Sequence, residues 1–179
     1  MKKFTKSTLL LGAMIASAST TAAVDSDFNK DGITDLFFRN DNSGQNIVWL
    51  MGGGQKVSGG QVGSLNPSHS FKAFGDFDGD GDHDILFRND TTGQNVIWLI
   101  ENGQKQSGGM VGSFNANHSF KAVGDFDKDG DDDILFRNDT TGQNVIWLVE
   151  NGQKSSGGMI GDFNSMHSFK ALGDFDQDG

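Results

Sequence analysis

The nine residues from Asp76 to Asp84, "DFDGDGDHD", carry five aspartates at alternate positions. Like charges packed this densely repel one another, and no lysine or arginine lies among them to offset the repulsion. Such a stretch is either a solvated, disordered acidic run or a set of ligands for a doubly charged cation. The spacing of the aspartates distinguishes the two.

The spacing predicts a calcium loop. With Asp76 as position 1, carboxylates occupy positions 1, 3, 5 and 9, and Gly81 occupies position 6. Side chains at positions 1, 3 and 5 can converge on one calcium ion if a glycine then turns the chain, and the carbonyl of position 7 adds a ligand. An EF-hand closes with glutamate at position 12 between helices, whereas here position 12 is Phe87 and strands are expected. Magnesium fits less well because it prefers a smaller, more hydrated octahedral shell.

The same loop recurs every 49 residues, which favours a ligand set over an acidic turn. The predicted ligands in the three complete copies, where position 7 contributes its carbonyl, are Asp27, Asn29, Asp31, Ile33 and Asp35; Asp76, Asp78, Asp80, Asp82 and Asp84; and Asp125, Asp127, Asp129, Asp131 and Asp133. A fourth, incomplete copy holds Asp174, Asp176 and Asp178.

The loops are predicted to differ in affinity. Loop one has one carboxylate fewer because Asn29 replaces an aspartate at position 3, and Lys30 adds a positive charge beside it. Because the charge of the ligands governs calcium affinity, loop one is expected to bind more weakly than loops two and three. The incomplete fourth loop is expected to be weaker still unless another chain completes it.

The elements around the loops repeat as well. The units are 27–75, 76–124, 125–173 and a partial 174–179, and the second and third complete units differ at nine of 49 positions. In each unit "SFKAVGDF" and "DILFRND" are strand-like, with Ile85 and Phe87 on one face and Leu86 and Arg88 on the other. "QNVIWLIE" is typical of a strand buried on both faces.

Turns complete the unit. "TTG" is a turn, "NGQ" marks a tight hairpin, and the glycine-rich "SGGMVGSF" is expected to be a strand at a sheet edge. Four strands in about 45 residues match one blade of a propeller. The sequence therefore predicts an all-β protein, a β-propeller of four-stranded blades.

Residues 1–23 have the pattern of a secretory signal peptide, which leaves 24–179 as the mature chain. Lys2, Lys3 and Lys6 precede a short apolar stretch and the small residues before Val24. The net charge of -10 argues against nucleic acid and anionic membranes as partners. The lack of cysteine excludes disulfides and a cysteine-linked lipid anchor. A secreted or periplasmic location is expected.

Two further sets of repeated residues could contact a ligand. Trp49, Trp98 and Trp147 lie in the longest apolar runs, so they are either core residues or stacking platforms for a sugar ring. His69, His118 and His167 recur in "HSFK" and are either structural or ligand-binding. Zinc is disfavoured because no second histidine or cysteine accompanies them. No set of residues has the pattern of a catalytic site, so an enzyme is not expected.

"GDFDGDGDHDILFRND" and its copies resemble the FG-GAP/VCBS repeats of integrin α-subunit propellers and of many exported bacterial proteins. The resemblance covers 27–179 and implies a β-propeller with calcium bound between the first and second strands of each blade. The FG and GAP signatures are only approximated, by "SFKAVGDF", so ligand binding of the integrin kind is not implied. Similar repeats build sugar-binding lectins and occur as accessory modules of secreted enzymes.

The function expected is an exported calcium-binding module for binding or adhesion, with glycans or surface proteins as partners. The alternative is a non-catalytic propeller module, or N-terminal fragment, of a larger secreted enzyme. Because propellers need about four to eight blades, the natural chain is expected to continue, or two chains are expected to share one ring.

Overall fold

A computed structural model describes residues 26–173 and Phe175. The predicted signal peptide at 1–23 and the fourth-loop residues Asp174, Asp176 and Asp178 lie outside the described residues. Every regular element in the described part of the chain is a β-strand. The all-β prediction is therefore confirmed for these residues. No helix in this part is long and apolar enough to cross a membrane.

Eleven strands form three antiparallel sheets in which neighbours in sequence are neighbours in space. Sheet 1 has the order β1(Leu36–Arg39), β2(Gln45–Gly52), β3(Gln55–Ser64). Sheet 2 has the order β4(Ser70–Gly75), β5(Asp84–Arg88), β6(Gln94–Glu101), β7(Gln104–Ser113). Sheet 3 has the order β8(His118–Gly124), β9(Asp133–Asn138), β10(Gln143–Glu150), β11(Gln153–Asp162).

Turn chemistry sets the register of each sheet. Asn102 and Gly103 join β6 to β7 with φ angles of 49° and 72°, and Asn151 and Gly152 do the same in sheet 3 with 51° and 70°. Two consecutive residues with positive φ are typical of the tight hairpin turns that favour Asn-Gly. The hairpin predicted from "NGQ" is confirmed.

The sheets stack face to face around two hydrophobic clusters. Ile85 and Phe87 of β5 point into the cluster shared with sheet 1, whereas Leu86 points into the cluster shared with sheet 3. Sheet 2 is therefore covered on both faces, which explains why "NVIWLI" is continuously apolar. The predicted alternation in "DILFRND" is confirmed.

The glycine-rich strands lie at sheet edges, as predicted, because β3, β7 and β11 each end a sheet. Their glycines also make room for the next sheet. A methyl group added to Gly63 would lie 3.0 Å from Cη2 of Trp98, and one added to Gly112 would lie 3.2 Å from Cη2 of Trp147. A larger residue at Gly63 or Gly112 would push the neighbouring sheet away.

The aspartate loops of sheets 2 and 3 follow the first strand of their sheet. Loop two lies between β4 and β5, and loop three lies between β8 and β9. Loop one precedes β1, so sheet 1 has no counterpart of β4 among the described residues. Residues 168–173, the counterpart of β4 and β8 in sequence, are not in a strand, since the described residues include no following strand to pair with them.

Candidate metal centre

Three aspartates of loop two come together. Asp76, Asp78 and Asp84 each have a carboxylate oxygen within 4.8 Å of the others'. Asp125, Asp127 and Asp133 form the same group in loop three. Calcium–oxygen distances are about 2.3–2.6 Å, so two ligands of one ion can lie up to about 5 Å apart. Positions 1, 3 and 9 of the predicted set are thus spaced to share one cation.

Position 9 anchors each loop to its own sheet. The buried Asp84 carboxylate accepts hydrogen bonds from the amides of Phe77 at 2.9 Å and Ile100 at 2.8 Å. Asp133 accepts the equivalent bonds from Phe126 at 3.0 Å and Val149 at 2.9 Å. A carboxylate has about four lone-pair sites, so these bonds leave capacity for a cation.

Positions 5 and 7 do not join the group. Asp80 accepts a hydrogen bond from the amide of Asp82 at 2.7 Å, which tightens the turn within the loop. The side chain of Asp82 accepts the amide of Asn102 at 2.7 Å and so binds the loop to the β6–β7 hairpin. In loop three, Asp129 and Asp131 make the same contacts. A ligand from position 7 would therefore be its backbone carbonyl, as the spacing predicts.

The loops hold their carboxylates at an electrostatic cost. Burial raises the pKa of Asp84 to about 8, with the neighbouring charges of Asp78 and Asp76 adding to the effect and two amide bonds opposing it. Burial likewise raises the pKa of Asp133 to about 6, with Asp127 and Asp129 as the nearby charges. Protonation would remove the negative charge from these buried carboxylates. A bound cation would balance that charge at neutral pH.

The donor set fits a hard cation. All the converging atoms are carboxylate oxygens, the ligands that calcium prefers. Oδ1 of Asp76 is buried and has no hydrogen-bond partner. Buried polar atoms are almost always paired, so this oxygen is expected to gain a partner from an ion, as is Oδ1 of Asn29 in loop one, which is likewise buried without a partner.

Loop one differs as its sequence predicts. Its position 3 is Asn29, whose side-chain amide donates to Asp31 at 3.1 Å. Asp27 and Asp35 keep the roles of positions 1 and 9, with Asp35 accepting the amides of Phe28 and Met51. Ile33 at position 7 is exposed and offers only its carbonyl.

Lys30 of loop one also contacts the neighbouring loop, which the sequence did not indicate. Its side chain reaches loop two, where a methyl group on Gly81 would collide with its Cε. Burial raises the pKa of Asp82, and the nearby charge of Lys30 opposes this rise. Lys30 therefore acts on the neighbouring loop.

Neighbouring loops also contact each other through position 8, which is not one of the predicted ligand positions. Nδ1 of His83 accepts the amide of Asp27 at 2.9 Å, and the His83 amide donates to the Asp27 carbonyl at 2.8 Å. Asp132 makes the equivalent pair of contacts with Asp76 at 3.0 and 2.6 Å. Position 8 is a histidine in loop two and an aspartate in loop three. These residue types are too different for the sequence to predict that they share a role.

The tryptophans are core residues where a preceding sheet covers them. Trp98 is 4% exposed and Trp147 is 5% exposed, whereas Trp49 is 36% exposed. The ring of Trp49 is flanked by Phe38 at 4.9 Å and by Nζ of Lys56 at 4.8 Å. The core interpretation is confirmed for Trp98 and Trp147.

The repeated histidines lie at the junctions between sheets. His118 stacks on Phe114 at 4.4 Å and His167 on Phe163 at 4.5 Å, while His69 contacts Ser68 at 3.4 Å. The three lie in separate units, and none belongs to a group that could hold a metal among the described residues.

An arginine clamp connects consecutive sheets. Arg88 donates to the carbonyls of Gly93, Phe114 and His118 at 2.8–3.3 Å, and its guanidinium lies 5.0 Å from the ring centre of Phe136 in the next sheet. Asp90 is a looser partner at 3.5 Å. The clamp therefore rests mainly on contacts with backbone carbonyls, which no sequence pattern marked.

Stacked antiparallel sheets with one acidic loop each define a β-repeat protein that could bind metal. The sequence profile of the FG-GAP-like repeat matches residues 27–87 and 76–136, more than half of the chain. The chain belongs to this repeat family, which indicates an adhesion-type repeat module. No curated protein and no solved structure gave a significant match to the chain.

Proposed function

We propose that the protein is an exported, calcium-binding β-propeller module that binds a partner rather than catalysing a reaction. The observation that carries the calcium part is the pair of three-aspartate groups in loops two and three. Asp76, Asp78 and Asp84 would hold the ion in loop two. Calcium would supply the positive charge that balances these carboxylates, of which Asp84 is buried and the other two are half-buried.

Calcium would act as a structural ion between two strands. Asp84 is bonded to the amides of Phe77 and Ile100, so an ion bound to Asp84 would connect the loop to β6. Loop two also contacts loop three through Asp76 and Asp132. Binding at one loop would therefore stiffen the end of the stack where all three loops lie. A ligand that binds only the folded state raises its stability by mass action.

Calorimetric titration of the chelated protein tests the calcium part. We expect heat on adding calcium, a higher melting temperature, and loss of the two tightest sites in the double variant Asp78→Ala/Asp127→Ala. Asp41→Ala is the matched control, because Asp41 is highly exposed and lies at the other end of β1 from loop one. Absence of heat and an unchanged melting temperature would show that the loops are only acidic turns.

The propeller part rests on the sheet architecture. Sheets 2 and 3 each have four antiparallel strands in sequence order, and first strands contact first strands while last strands contact last strands. Such contacts are expected of blades arranged around an axis, and they support the proposal. Small-angle scattering of the assembled protein would check it: a propeller requires a compact disc, whereas an elongated particle would contradict it.

The partner part rests on family membership and on repetition. Identical grooves between units would present the same chemistry several times, and weak contacts add through effective concentration. Glycans or surface proteins are the partners proposed. A glycan array probed with multimeric protein in calcium and in chelator tests the sugar version, and no retained sugar would contradict it.

The exported location rests on the pattern of residues 1–23. Mass spectrometry of the protein recovered from the periplasm and from the medium tests this part. We expect a mature chain that begins near Val24. A chain that keeps residues 1–23 and stays inside the cell would contradict export.

A further inference from the structure

The two outer faces of the stack are the two halves of an interface that the molecule builds twice internally. We define the front face as the outer side of sheet 1 and the back face as the outer side of sheet 3. Sheet 1 meets sheet 2, and sheet 2 meets sheet 3, through the same set of contacts. Each outer face retains one half of that set.

The internal interface has three recurring contacts. Arg39 lies 5.1 Å from the ring centre of Phe87, as Arg88 does from Phe136 at 5.0 Å. Trp98 packs against Gly63, as Trp147 packs against Gly112. The carbonyl of Phe28 accepts the amide of Gly103 at 2.8 Å, and that of Phe77 accepts the amide of Gly152 at 2.7 Å.

The front face presents the inserting half. Phe38 and Trp49 occupy the positions of Phe87 and Trp98 one unit earlier, and they are 43% and 36% exposed. Their rings already adopt the edge-to-face pair seen for Phe87 and Trp98, at 4.9 and 5.2 Å respectively. This face is therefore arranged for docking without rearrangement of the pair. Leu36, at the position of the buried Ile85, is exposed beside it.

The back face presents the receiving half. A cavity of about 220 Å³ is lined by Arg137, Asn144, Phe163, His167, Ser168 and Phe169. Arg137 and Phe163 correspond to Arg88 and Phe114, which hold the ring of Phe136 inside the molecule. The cavity exceeds the roughly 150 Å³ that accepts a benzene ring in an engineered protein.

Other back-face residues match the same pattern. Ile160 is 62% exposed, although its counterparts Val62 and Val111 are core residues. A methyl group on Gly161 would meet no described atom within 4 Å, whereas at Gly112 it would touch Trp147. Phe126 is more exposed than its buried counterparts Phe28 and Phe77. The residues that are core inside the stack are thus uncovered at its end.

The strands are complementary in the same sense. Among the described residues, sheet 1 has no counterpart of β4, and residues 168–173, the counterpart of β4 in sequence, pair with no sheet. Inside the molecule, the first strand of sheets 2 and 3 pairs with the second strand of the same sheet, so that Phe71 lies opposite Phe87 and Phe120 lies opposite Phe136. Each of these sheets in turn covers the sheet before it. A sheet 1 docked on the back face would therefore meet residues 168–173 at its open edge, with Phe169 opposite Phe38. Phe169 also lines the cavity that the ring of Phe38 would enter.

We propose that the back face of one chain binds the front face of a second copy. Phe38 of the second copy enters the cavity beside Arg137, its Trp49 covers Gly161, and residues 168–173 of the first chain pair with its β1. The contact is head to tail, so it either closes into a ring or continues as an open assembly. This inference goes beyond the proposed function and does not require calcium.

Sedimentation velocity over a range of concentrations tests the proposal. We expect the mass of the unaltered protein to rise above that of one chain, and Phe38→Asp and Ile160→Asp each to remain monomeric. Met110→Asp is the matched control, because Met110 is an exposed apolar residue of the middle sheet, and this variant should associate like the unaltered protein. An unaltered protein that is monomeric at every concentration would overturn the proposal.

Mixing the two variants separates loss of the interface from loss of the fold. Phe38→Asp retains an intact back face and Ile160→Asp retains an intact front face, so the mixture should form one-to-one dimers. Buried-type emission from Trp98 and Trp147 should persist in both variants. Folded variants that fail to pair in the mixture, or a Phe38→Asp variant that still associates alone, would count against the proposed surfaces.

A further repeat of the same polypeptide is the other occupant that would fit the back face. The intact mass of the protein purified from its native cells distinguishes the two. A mass equal to that of the mature chain, together with association, supports a second copy. A longer, monomeric chain with additional repeats would overturn the second copy as occupant.

Discussion

Trp49 and Trp98 occupy the same position of consecutive repeats, yet Trp49 is 36% exposed and Trp98 is 4% exposed. Both lie on the middle strand of a sheet and pack edge-on against a phenylalanine. They differ because β3 of the preceding sheet covers Trp98 through Gly63, whereas Trp49 has no preceding sheet among the described residues. In this repeat protein, burial is decided by the neighbouring unit rather than by the residue.

The metal loops of the same two repeats differ for the opposite reason. In both loops the aspartate at position 9, Asp35 or Asp84, accepts hydrogen bonds from two backbone amides. Only the second brings three carboxylates together, because Asp78 replaces Asn29. Here a single residue within the unit makes the difference, whereas the exposure of the tryptophans depends on the neighbouring unit.

The largest expected effect is a reversal of the pH dependence of stability when calcium is added. In the metal-free protein the folded-state pKa values of Asp133, about 6, and Asp84, about 8, lie above the unfolded value near 4. Their contribution is therefore fully present below pH ~4 and is lost as the pH rises through about 6 and then about 8.

Denaturant unfolding between pH 4 and 9, in chelator and in calcium, checks this reversal. In calcium the ion favours the ionised carboxylates, so stability should fall on acidification. The variant Asp78→Asn makes loop two resemble loop one and should flatten the metal-free profile. A metal-free protein whose stability rises with pH over this range would contradict the prediction.

The second effect breaks the tryptophan comparison. Trp98→Ala should lower the free energy of unfolding by about 3–5 kcal/mol, the usual cost of emptying a buried aromatic site. Trp49→Ala should cost less than half of this in the monomer, because its ring is partly in solvent. Urea unfolding at a concentration too low for association measures both. Equal losses would show that the neighbouring sheet is not what buries Trp98.

The repeat unit, its strands and the turn at Asn102 and Gly103 could be predicted from the sequence because they rest on local patterns. The packing of Trp98 against Gly63 could not, because it joins residues 35 positions apart whose relation appears only when sheets stack. The exposure of Trp49 was hidden for the same reason. One sequence pattern is repeated, but its environment is not.

In the candidate metal site, too, the contacts within one loop could be predicted from the sequence and the contacts between loops could not. Asp76, Asp78 and Asp84 were predicted from spacing together with Asp80, but Asp80 lies outside the group and accepts the amide of Asp82 instead. The spacing did not reveal that the Lys30 side chain would lie against Gly81 of the next loop, nor that His83 would bind Asp27. Contacts between loops depend on how far one sheet is rotated from the next, which no residue spacing records.

The third effect distinguishes Asp84, which anchors the loop to its sheet, from Asp78, whose main expected role is to bind the ion. Asp84→Ala leaves two buried amides without an acceptor, and each unpaired group costs about 1–3 kcal/mol. We expect a loss of roughly 2–4 kcal/mol in chelator as well as in calcium. Asp78→Ala should cost little in chelator, since its one backbone contact within the loop is long, at 3.4 Å. Thermal melts of both variants in the two buffers provide the measurement, and a large loss for Asp78→Ala in chelator would remove the distinction.

The smallest effect exchanges the two loops. Asp78→Asn should weaken calcium binding at loop two by about tenfold, or about 1.4 kcal/mol, because one carboxylate of the group becomes neutral. Asn29→Asp should strengthen loop one by a similar factor, since Asp27 and Asp35 already hold positions 1 and 9 of that loop. The double variant should restore the original range of affinities with the order of the sites reversed.

Calorimetric titration of the three variants measures this, with Asn42→Asp as a control that adds the same charge at an exposed turn after β1. If Asn42→Asp strengthens binding as much as Asn29→Asp, net charge rather than the ligand at position 3 governs affinity.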